Sequence, residues 1–214
     1  SNWPLFWCGD WGPRSPACAL LLTVDNDGMI IVLDEIYGPG ETPVIWARRV
    51  LAMLEKWNCT DNKGFAKIHG YIDPSCFKND TSGGMQISEQ LFEQGLMIYE
   101  GSNERKPGWT EIRRRLAERG GIGGKIPGLR IARRCTNLIR TLPNLTAPEN
   151  ESIGDMDDID TKQEDHAADA LRYGVMSRPA PRLVKDIQEE EIKRWERISL
   201  LQNRNTARNV TTGY

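Results

Sequence analysis

The chain has 214 residues, of which 39% are hydrophobic and 27% charged, and its formal net charge is -2. This length is sufficient for one domain with a sizeable core plus a tail, and the lack of a long apolar run excludes a membrane-spanning helix. No secretory signal is predicted, and the five cysteines lack metal-ligand or redox spacing, so we expect buried free thiols in a reducing, intracellular compartment.

The N-terminal part of the chain predicts three strands in antiparallel succession. The first is the aromatic-rich segment 4–11, the second is the apolar run 17–24, and the third covers 29–36. Between the last two strands, Asp25-Asn-Asp-Gly28 contains the residues that supply positive φ values in tight turns. A hairpin meander is therefore expected to open the fold.

Helices and short strands alternate through the rest of the chain. Helical spacing of apolar residues predicts a helix over 41–57, with Thr42 as N-cap and Pro43 at the first helical position. The following segments are predicted in order: a strand over 67–73, a helix over 86–94, a strand over 96–99, a helix over 110–118, a flexible Gly-rich loop over 120–128, the segment 129–132, a short helix through Leu138 and Leu142, and a helix over 164–176.

This order of elements predicts a mixed α/β fold in which helices flank a central mixed sheet, an antiparallel meander plus parallel strands. We expect residues 1–178 to form this domain and residues 179–214 to form a tail that is partly helical. Four apolar side chains of the tail have helical spacing and could pack on the domain or on a partner: Ile187, Ile192, Trp195 and Ile198.

Charge is unevenly distributed along the chain. Residues 104–140 contain eleven Lys or Arg and three Asp or Glu, whereas residues 141–170 contain nine Asp or Glu and one Lys. Such neighbouring blocks are typical of a polyanion-binding surface beside a cation-binding centre, but two solvated surfaces of opposite charge would have the same composition.

Three aspartates stand out by their positions. Asp10 and Asp73 end predicted strands, and Asp169 lies within an Ala- and Leu-lined helix face. Carboxylates among apolar neighbours are costly to bury, and hard divalent cations such as Mg²⁺ remove the repulsion between them. Each has a structural alternative, since Asp10 could cap a strand end, Asp73 could open a turn, and Asp169 could pair with Arg172.

Two further residues lie close to Asp169 in the sequence. His166 precedes it by about one helical turn and could bind a metal, orient a nucleophilic water or form local hydrogen bonds. Asp165, four residues before Asp169, is a further candidate ligand, although we expect it to interact with the helix dipole instead. Two cations held by these acids would suit phosphodiester cleavage.

Four motifs in this order resemble a known family: Cys8-Gly-Asp-Trp-Gly12, Tyr71-Ile-Asp-Pro-Ser75, Arg134-Cys-Thr-Asn-Leu-Ile-Arg-Thr-Leu-Pro143 and Glu164-Asp-His-Ala-Ala-Asp-Ala-Leu-Arg-Tyr173. The chain looks like the C-terminal nuclease domain of the large terminase subunit of tailed bacteriophages and prophages. The resemblance implies an RNase H-like fold, whose three metal-binding acids fall on Asp10, Asp73 and Asp169 and whose histidine falls on His166.

The resemblance also implies an activity and partners. The expected activity is a metal-dependent endonuclease that uses two Mg²⁺ or Mn²⁺ ions to cut concatemeric double-stranded viral DNA during genome packaging in the host cell cytoplasm. The expected partners are this DNA, a packaging ATPase domain that the chain lacks, the small terminase subunit and the portal of the procapsid, without a membrane. We therefore expect a domain excised from a longer subunit.

Two other functions are compatible with the same residues. One is a Holliday-junction resolvase or transposase-like nuclease of the same fold. The other is a non-catalytic module that grips DNA or docks within a packaging machine, in which the acids only stabilise the fold.

The basic block supplies candidates for contacts with the DNA backbone: Arg105, Lys106, Arg113, Arg114, Arg115 and Lys125. Contacts of this kind contribute affinity but little sequence specificity. The same side chains could instead form a solvated helix face.

Overall fold

A computed structural model of the chain describes the following residues: 3–12, 16–25, 28–78, 84–116, 118–121, 124–147, 158–159 and 163–177. Only the backbone is described over 118–121 and 124–127. The predicted tail over 179–214, with its apolar stripe, lies outside the described residues, so the division into domain and tail stays a prediction.

A six-stranded mixed sheet forms the centre of the fold. Its strands are β1 (Leu5–Asp10), β2 (Ala17–Val24), β3 (Ile30–Gly38), β4 (Gly70–Ile72), β5 (Ile98–Glu100) and β8 (Leu129–Ile131). They are arranged in the order β5-β4-β1-β2-β3-β8. The β1-β2-β3 unit is the predicted antiparallel meander, whereas β4, β5 and β8 each run parallel to a neighbour.

The two described residues of the predicted turn between β2 and β3, Asp25 and Gly28, form hydrogen bonds at the ends of these strands. Gly28 has a φ of 79°, which is unfavourable for residues with a Cβ. Its backbone N–H donates to the Asp25 carbonyl at 3.0 Å, and Asp25 Oδ1 accepts from the Met29 N–H at 2.8 Å. These bonds fix the register in which β3 returns along β2.

Within the described residues, five α-helices cover the sheet: α1 (Pro43–Lys56), α2 (Ile87–Glu93), α3 (Arg105–Leu116), α4 (Thr136–Thr141) and α5 (His166–Ser177). The predicted N-cap of α1 is confirmed, because the Thr42 side chain accepts from the Ile45 N–H at 3.4 Å. Short 3₁₀ turns at Pro74–Phe77 and Leu142–Asn144 follow β4 and α4.

Several predicted segments differ from the structure. Helix α3 covers Arg105–Leu116 rather than residues 110–118, because a proline is tolerated in a first helical turn and Pro107 therefore does not exclude an earlier start. Strand β4 covers Gly70–Ile72 rather than residues 67–73. The Gly-rich segment, predicted as a flexible loop, contains the antiparallel hairpin β6 (Glu118–Gly121) and β7 (Gly124–Pro127). Strands β6 and β7 pair through their backbones and lack the alternation of apolar and polar side chains that predicts a strand.

The hydrophobic core has one half on each face of the sheet. Side chains alternate along β1, so Phe6 and Cys8 pack under α3, α4 and α5 while Trp7 packs with α1 and α2 on the opposite face. Every residue of β2 is buried. The five cysteines are buried and free, as predicted. Among the helices that the structure describes, none is long and apolar enough to cross a membrane.

Candidate active site

Strands β1 and β4 bring Asp10 and Asp73 to the same edge of the sheet. The two strands are parallel, with Gly9 opposite Ile72, so each aspartate lies one position beyond this pair. Asp10 is 9% exposed. Asp73 is partly exposed and its Oδ1 accepts from the Ser75 N–H at 2.7 Å, which is the turn-opening role considered from the sequence.

Helix α5 places His166 beside Asp10. The helix packs tightly on β1, since a Cβ added at Gly174 would lie 2.7 Å from Cys8 Sγ. At the start of the helix, His166 Nδ1 donates to Asp10 Oδ2 at 2.9 Å. This hydrogen bond joins the first residue of α5 to the last residue of β1.

Asp169, one turn further along α5, is held by a buried arginine. Arg172 Nε donates to Asp169 Oδ1 at 2.9 Å, and its Nη1 donates to the Ser102 carbonyl at 3.2 Å. Its guanidinium carbon lies 4.4 Å from the centre of the Tyr173 ring. The pairing that the sequence left open is therefore present, but it lies in the interior, where the Arg172 side chain is 1% exposed.

A second cation reaches the other oxygen of Asp169. Arg105 Nη1 lies 3.3 Å from Asp169 Oδ2, and Arg105 Nε lies 3.2 Å from Asp158 Oδ1. Arg105 was predicted to bind the DNA backbone, yet in the structure its guanidinium lies between two carboxylates. Each oxygen of Asp169 consequently has an arginine donor.

Negative charge is concentrated at this edge of the sheet. Burial raises the pKa of Asp10, and the charges of Asp169 and Asp73 raise it further, whereas the hydrogen bond from His166 lowers it. Burial, followed by the charge of Asp169, raises the pKa of Asp165 to about 6. The hydrogen bond to Asp10 raises the pKa of His166. The five side chains thus interact electrostatically as one group.

The oxygen donors of Asp10, Asp73 and Asp169 are the type that Mg²⁺ and Mn²⁺ bind. Within the part of the chain that the structure describes, however, no three His, Cys, Asp or Glu side chains are arranged closely enough to hold a metal ion. In the structure these carboxylates bind groups of the protein instead: Asp73 accepts from a backbone N–H and Asp169 from two arginines.

The side chains of α3 that are predicted to contact phosphate differ in their exposure to solvent and in their partners. Lys106 and Arg113 are exposed. Arg114 is also exposed, and its guanidinium binds both oxygens of Glu111 at 2.6 and 2.8 Å. Lys125 lies in β7, where only the backbone is described. Lys106, Arg113 and Arg114 therefore lie on the solvent-exposed face of α3.

Arg115 does not have the exposure that a phosphate contact requires. The residue is 2% exposed, and its Nη1 donates to the carbonyls of Gly28 and Gly128 at 2.9 and 3.4 Å. Its Nε donates to Glu111 at 2.8 Å. Arg115 follows the buried Ile112 by three residues, so helical periodicity could have indicated that it lies on the inner face of α3. It connects α3 to the β2–β3 turn.

Sequence reasoning underestimated two residues of the site and missed a third. Asp165, expected to interact with the helix dipole, is 6% exposed and its charge couples to that of Asp169. Arg172, predicted only as an alternative partner of Asp169, is buried and donates to its Oδ1. Asp158 lies within the acidic block, and no pattern distinguished it from its acidic neighbours.

Neither a scan against protein-family models nor a search of curated proteins gave a match. Among solved structures, the P22 large terminase nuclease domain aligns with a TM-score of 0.63 at 18% identity over 87% of each chain. The large terminase nuclease domain of bacteriophage SPP1 with bound Mn aligns with a TM-score of 0.54 at 16% identity, over 79% of this chain and 83% of that chain.

A large terminase from a thermophilic bacteriophage, solved in complex with ADP, gives a TM-score of 0.59 at 16% identity. The alignment covers 81% of this chain but 39% of the thermophilic phage protein, so this chain corresponds to less than half of that protein. At these identities the likeness establishes the fold. The mixed α/β, RNase H-like fold predicted from the sequence is confirmed, and solved large terminase nuclease domains share it.

Proposed function

We propose that this chain is the nuclease domain of a large terminase subunit and that it hydrolyses phosphodiester bonds of double-stranded DNA with divalent cations. The observation that carries the proposal is the position of Asp10, Asp73 and Asp169, which come from β1, the end of β4 and α5 and lie at one edge of the sheet. The fold shared with the P22 and SPP1 nuclease domains supports it.

Asp10, Asp73 and Asp169 would hold two Mg²⁺ or Mn²⁺ ions. Bound divalent cations supply neutralisation of phosphate charge and activation of water in such hydrolyses. The Mn bound to the SPP1 domain supports this choice of cofactor. The acids come from three separate elements, so the fold must be complete before they can act together.

Within this site, His166 and Arg172 are positioning residues. His166 Nδ1 is hydrogen bonded to Asp10 Oδ2 at 2.9 Å, which orients that carboxylate. Arg172 fixes Oδ1 of Asp169 from inside the protein, where its own side chain cannot reorient without losing the Ser102 contact. Both keep the acids oriented towards the sheet edge.

The exposed cations of α3 would bind the DNA backbone beside these acids. We assign this role to Lys106, Arg113 and Arg114, and to Lys125 as predicted from the sequence. Because these are phosphate contacts, affinity should fall steeply with salt and depend little on base sequence.

A role in genome packaging is supported by the same comparisons. The thermophilic phage protein is a large terminase that was solved with ADP, and this chain corresponds to part of it. We propose that a packaging ATPase domain, the small terminase subunit and the portal are partners, that the substrate is concatemeric viral DNA, and that cutting takes place in the host cell cytoplasm.

Incubation with supercoiled plasmid in Mn²⁺ or Mg²⁺ tests the activity. The wild-type chain should cut the plasmid, and both EDTA and Asp73→Asn should abolish cutting. Glu55→Gln is the matched control, because Glu55 is exposed on α1 and its loss removes one negative charge away from the site. An Asp73→Asn variant that still folds and cuts DNA at the wild-type rate would refute the assignment.

The same assay separates the related nuclease classes. A four-way junction and a linear duplex of equal length are offered in parallel, and a terminase nuclease should cut the linear duplex. A strong preference for the junction would instead identify a resolvase.

The engagement of the acids by His166, Arg105 and Arg172 favours one second candidate, a non-catalytic module that grips DNA. In that function the ion pairs would only stabilise the fold. DNA binding that persists in Asp10→Asn, Asp73→Asn and Asp169→Asn, together with no cutting by the wild type in either metal, would support it, and cutting by the wild type would refute it.

A further inference from the structure

Arg105 occupies a position that helix energetics disfavours. It is the first residue of α3, where the positive end of the helix dipole repels a cation. Its placement is therefore determined by its two carboxylate partners, Asp169 and Asp158. Asp169 is one of the acids that the proposed function assigns to metal binding.

The contacts of Arg105 are long and incomplete. Its two ion-pair distances, 3.3 Å to Asp169 and 3.2 Å to Asp158, exceed the range of about 2.7–2.9 Å for strong charge-assisted bonds. Its Nη2 is buried and has no hydrogen-bond partner among the described residues. The side chain is 26% exposed, so solvent can replace these contacts.

Arg172 binds the same carboxylate, and its contact with Asp169 is shorter and more buried than that of Arg105. It binds Asp169 Oδ1 at 2.9 Å with a side chain that is 1% exposed, and it also donates to the Ser102 carbonyl. A Cβ at Gly108 would lie 2.5 Å from Arg172 Cγ, so α3 packs directly on this side chain. The Arg172 side chain is therefore fixed by packing and hydrogen bonds, whereas the partly exposed Arg105 side chain can move away from Asp169.

We propose that Arg105 is a displaceable internal cation: in the metal-free protein it neutralises Oδ2 of Asp169, and it competes with a divalent cation for that oxygen. This inference rests on the proposed function, because it takes Asp169 to be a metal ligand.

Competition of this kind has a thermodynamic consequence. Cation binding must break the Arg105–Asp169 ion pair, so the ion pair lowers the apparent affinity for the cation, and the bound cation lowers the contribution of Arg105 to stability by the same factor. Removing the Arg105 charge should strengthen Mn²⁺ binding and weaken the metal-free fold.

Calorimetric titration of the full chain with Mn²⁺, without DNA, tests the affinity. Arg105→Gln should bind Mn²⁺ about tenfold more tightly than the wild type, within the usual range of coupling between sites. Arg130→Gln is the control for a general charge effect, because Arg130 is an exposed cation of the same basic block on β8. Its Mn²⁺ affinity should stay within about twofold of the wild type. Equal affinities for Arg105→Gln and the wild type would overturn the inference.

Thermal unfolding gives a second measurement that does not depend on activity. In EDTA, Arg105→Gln should have a lower Tm than the wild type, and saturating Mn²⁺ should raise its Tm by more than it raises that of the wild type. If Arg105→Gln fails to fold, Arg105→Lys replaces it, and its Mn²⁺ affinity should exceed that of the wild type because a lysine lacks the planar donor pair. An unchanged or weaker affinity in Arg105→Lys would overturn the inference.

The plasmid assay separates failure of this inference from failure of the proposed function. If the wild type binds Mn²⁺ and cuts DNA while Arg105→Gln leaves Mn²⁺ affinity unchanged, only the competition is refuted. If neither the wild type nor the variants bind Mn²⁺, the proposed metal site is refuted and the competition with it.

Discussion

Arginines of similar appearance in the sequence have different roles in the structure. Arg172 and Arg115 are buried and bind backbone carbonyls as well as a carboxylate. Arg113 and Arg114 face solvent, and Arg105 lies between these extremes. Since a buried cation must be fully paired whereas an exposed one is solvated, the effect of a substitution should follow burial rather than residue type.

Arg172→Ala should lower the free energy of unfolding by about 3 kcal/mol, because it leaves the carboxylate of Asp169 without its buried partner. Urea unfolding in EDTA measures this change. Arg48→Ala removes an exposed arginine of α1 and should change the free energy by no more than about 0.5 kcal/mol. Equal effects of the two variants would contradict a buried pairing role for Arg172.

Substitution of Arg115 should affect mainly stability, and substitution of Arg113 should affect mainly DNA binding. Arg115→Met should destabilise the fold by about 2 kcal/mol, because the Gly28 carbonyl loses its donor, and should leave the salt dependence of DNA binding unchanged. Arg113→Gln should leave stability unchanged and reduce the slope of log affinity against log salt by about one.

Fluorescence anisotropy of a labelled duplex in EDTA, measured over a series of salt concentrations, gives the slopes. A reduced slope in Arg115→Met, with Arg113→Gln unaffected, would reverse the assignment made from burial.

At the scale of elements, the contact between α5 and β1 sets the geometry of the site. Asp10 and His166 are hydrogen bonded across it, and Gly174 permits the close approach to Cys8 further along the helix. The position of α5 therefore determines where Asp169 lies relative to the ends of β1 and β4.

Gly174→Ala should displace α5 from β1 and lower the free energy of unfolding by about 2 kcal/mol, since the new methyl would lie 2.7 Å from Cys8 Sγ. Combining it with Cys8→Ala should recover at least about 1 kcal/mol relative to the sum of the single changes. Chemical unfolding of the four proteins measures this coupling. A stabilised Gly174→Ala variant, as helix propensity alone would give, would show that the interface can relax.

At the scale of the whole molecule, charge is segregated although the net charge is only -2. The basic block contributes the exposed face of α3, whereas the acids of β1, β4 and α5 meet at one edge of the sheet. Repulsion among these acids opposes folding, so a divalent cation bound there should stabilise the entire domain.

Mn²⁺ at 100 times its Kd should raise the free energy of unfolding by about 2.7 kcal/mol over the value in EDTA. Asp169→Asn should lose most of this increase, whereas Glu55→Gln should retain it. Urea unfolding of the three proteins with and without Mn²⁺ provides the comparison. An equal increase in Asp169→Asn would place the cation elsewhere.

Local patterns in the sequence predict much of the secondary structure of this protein. Apolar runs and turn residues predict the β1-β2-β3 meander, Thr42 and Pro43 predict the start of α1, and helical spacing predicts α5. These features depend on residues within a few positions of one another, so they can be recognised without knowledge of the fold. Asp10 and Asp73 are recognised by the same means, because each ends a predicted strand.

Only the tertiary structure decided which charges meet. Arg105 and Asp169 are separated by 64 positions, His166 and Asp10 by 156, and Arg115 and Gly28 by 87. Whether an arginine contacts solvent, a carbonyl or a carboxylate depends on what packing brings beside it. Local patterns indicate this only within one helix, as for the pair of Asp169 and Arg172, and not between distant segments of the chain. The sequence therefore indicates which acids form the candidate site, whereas packing determines which cations bind them.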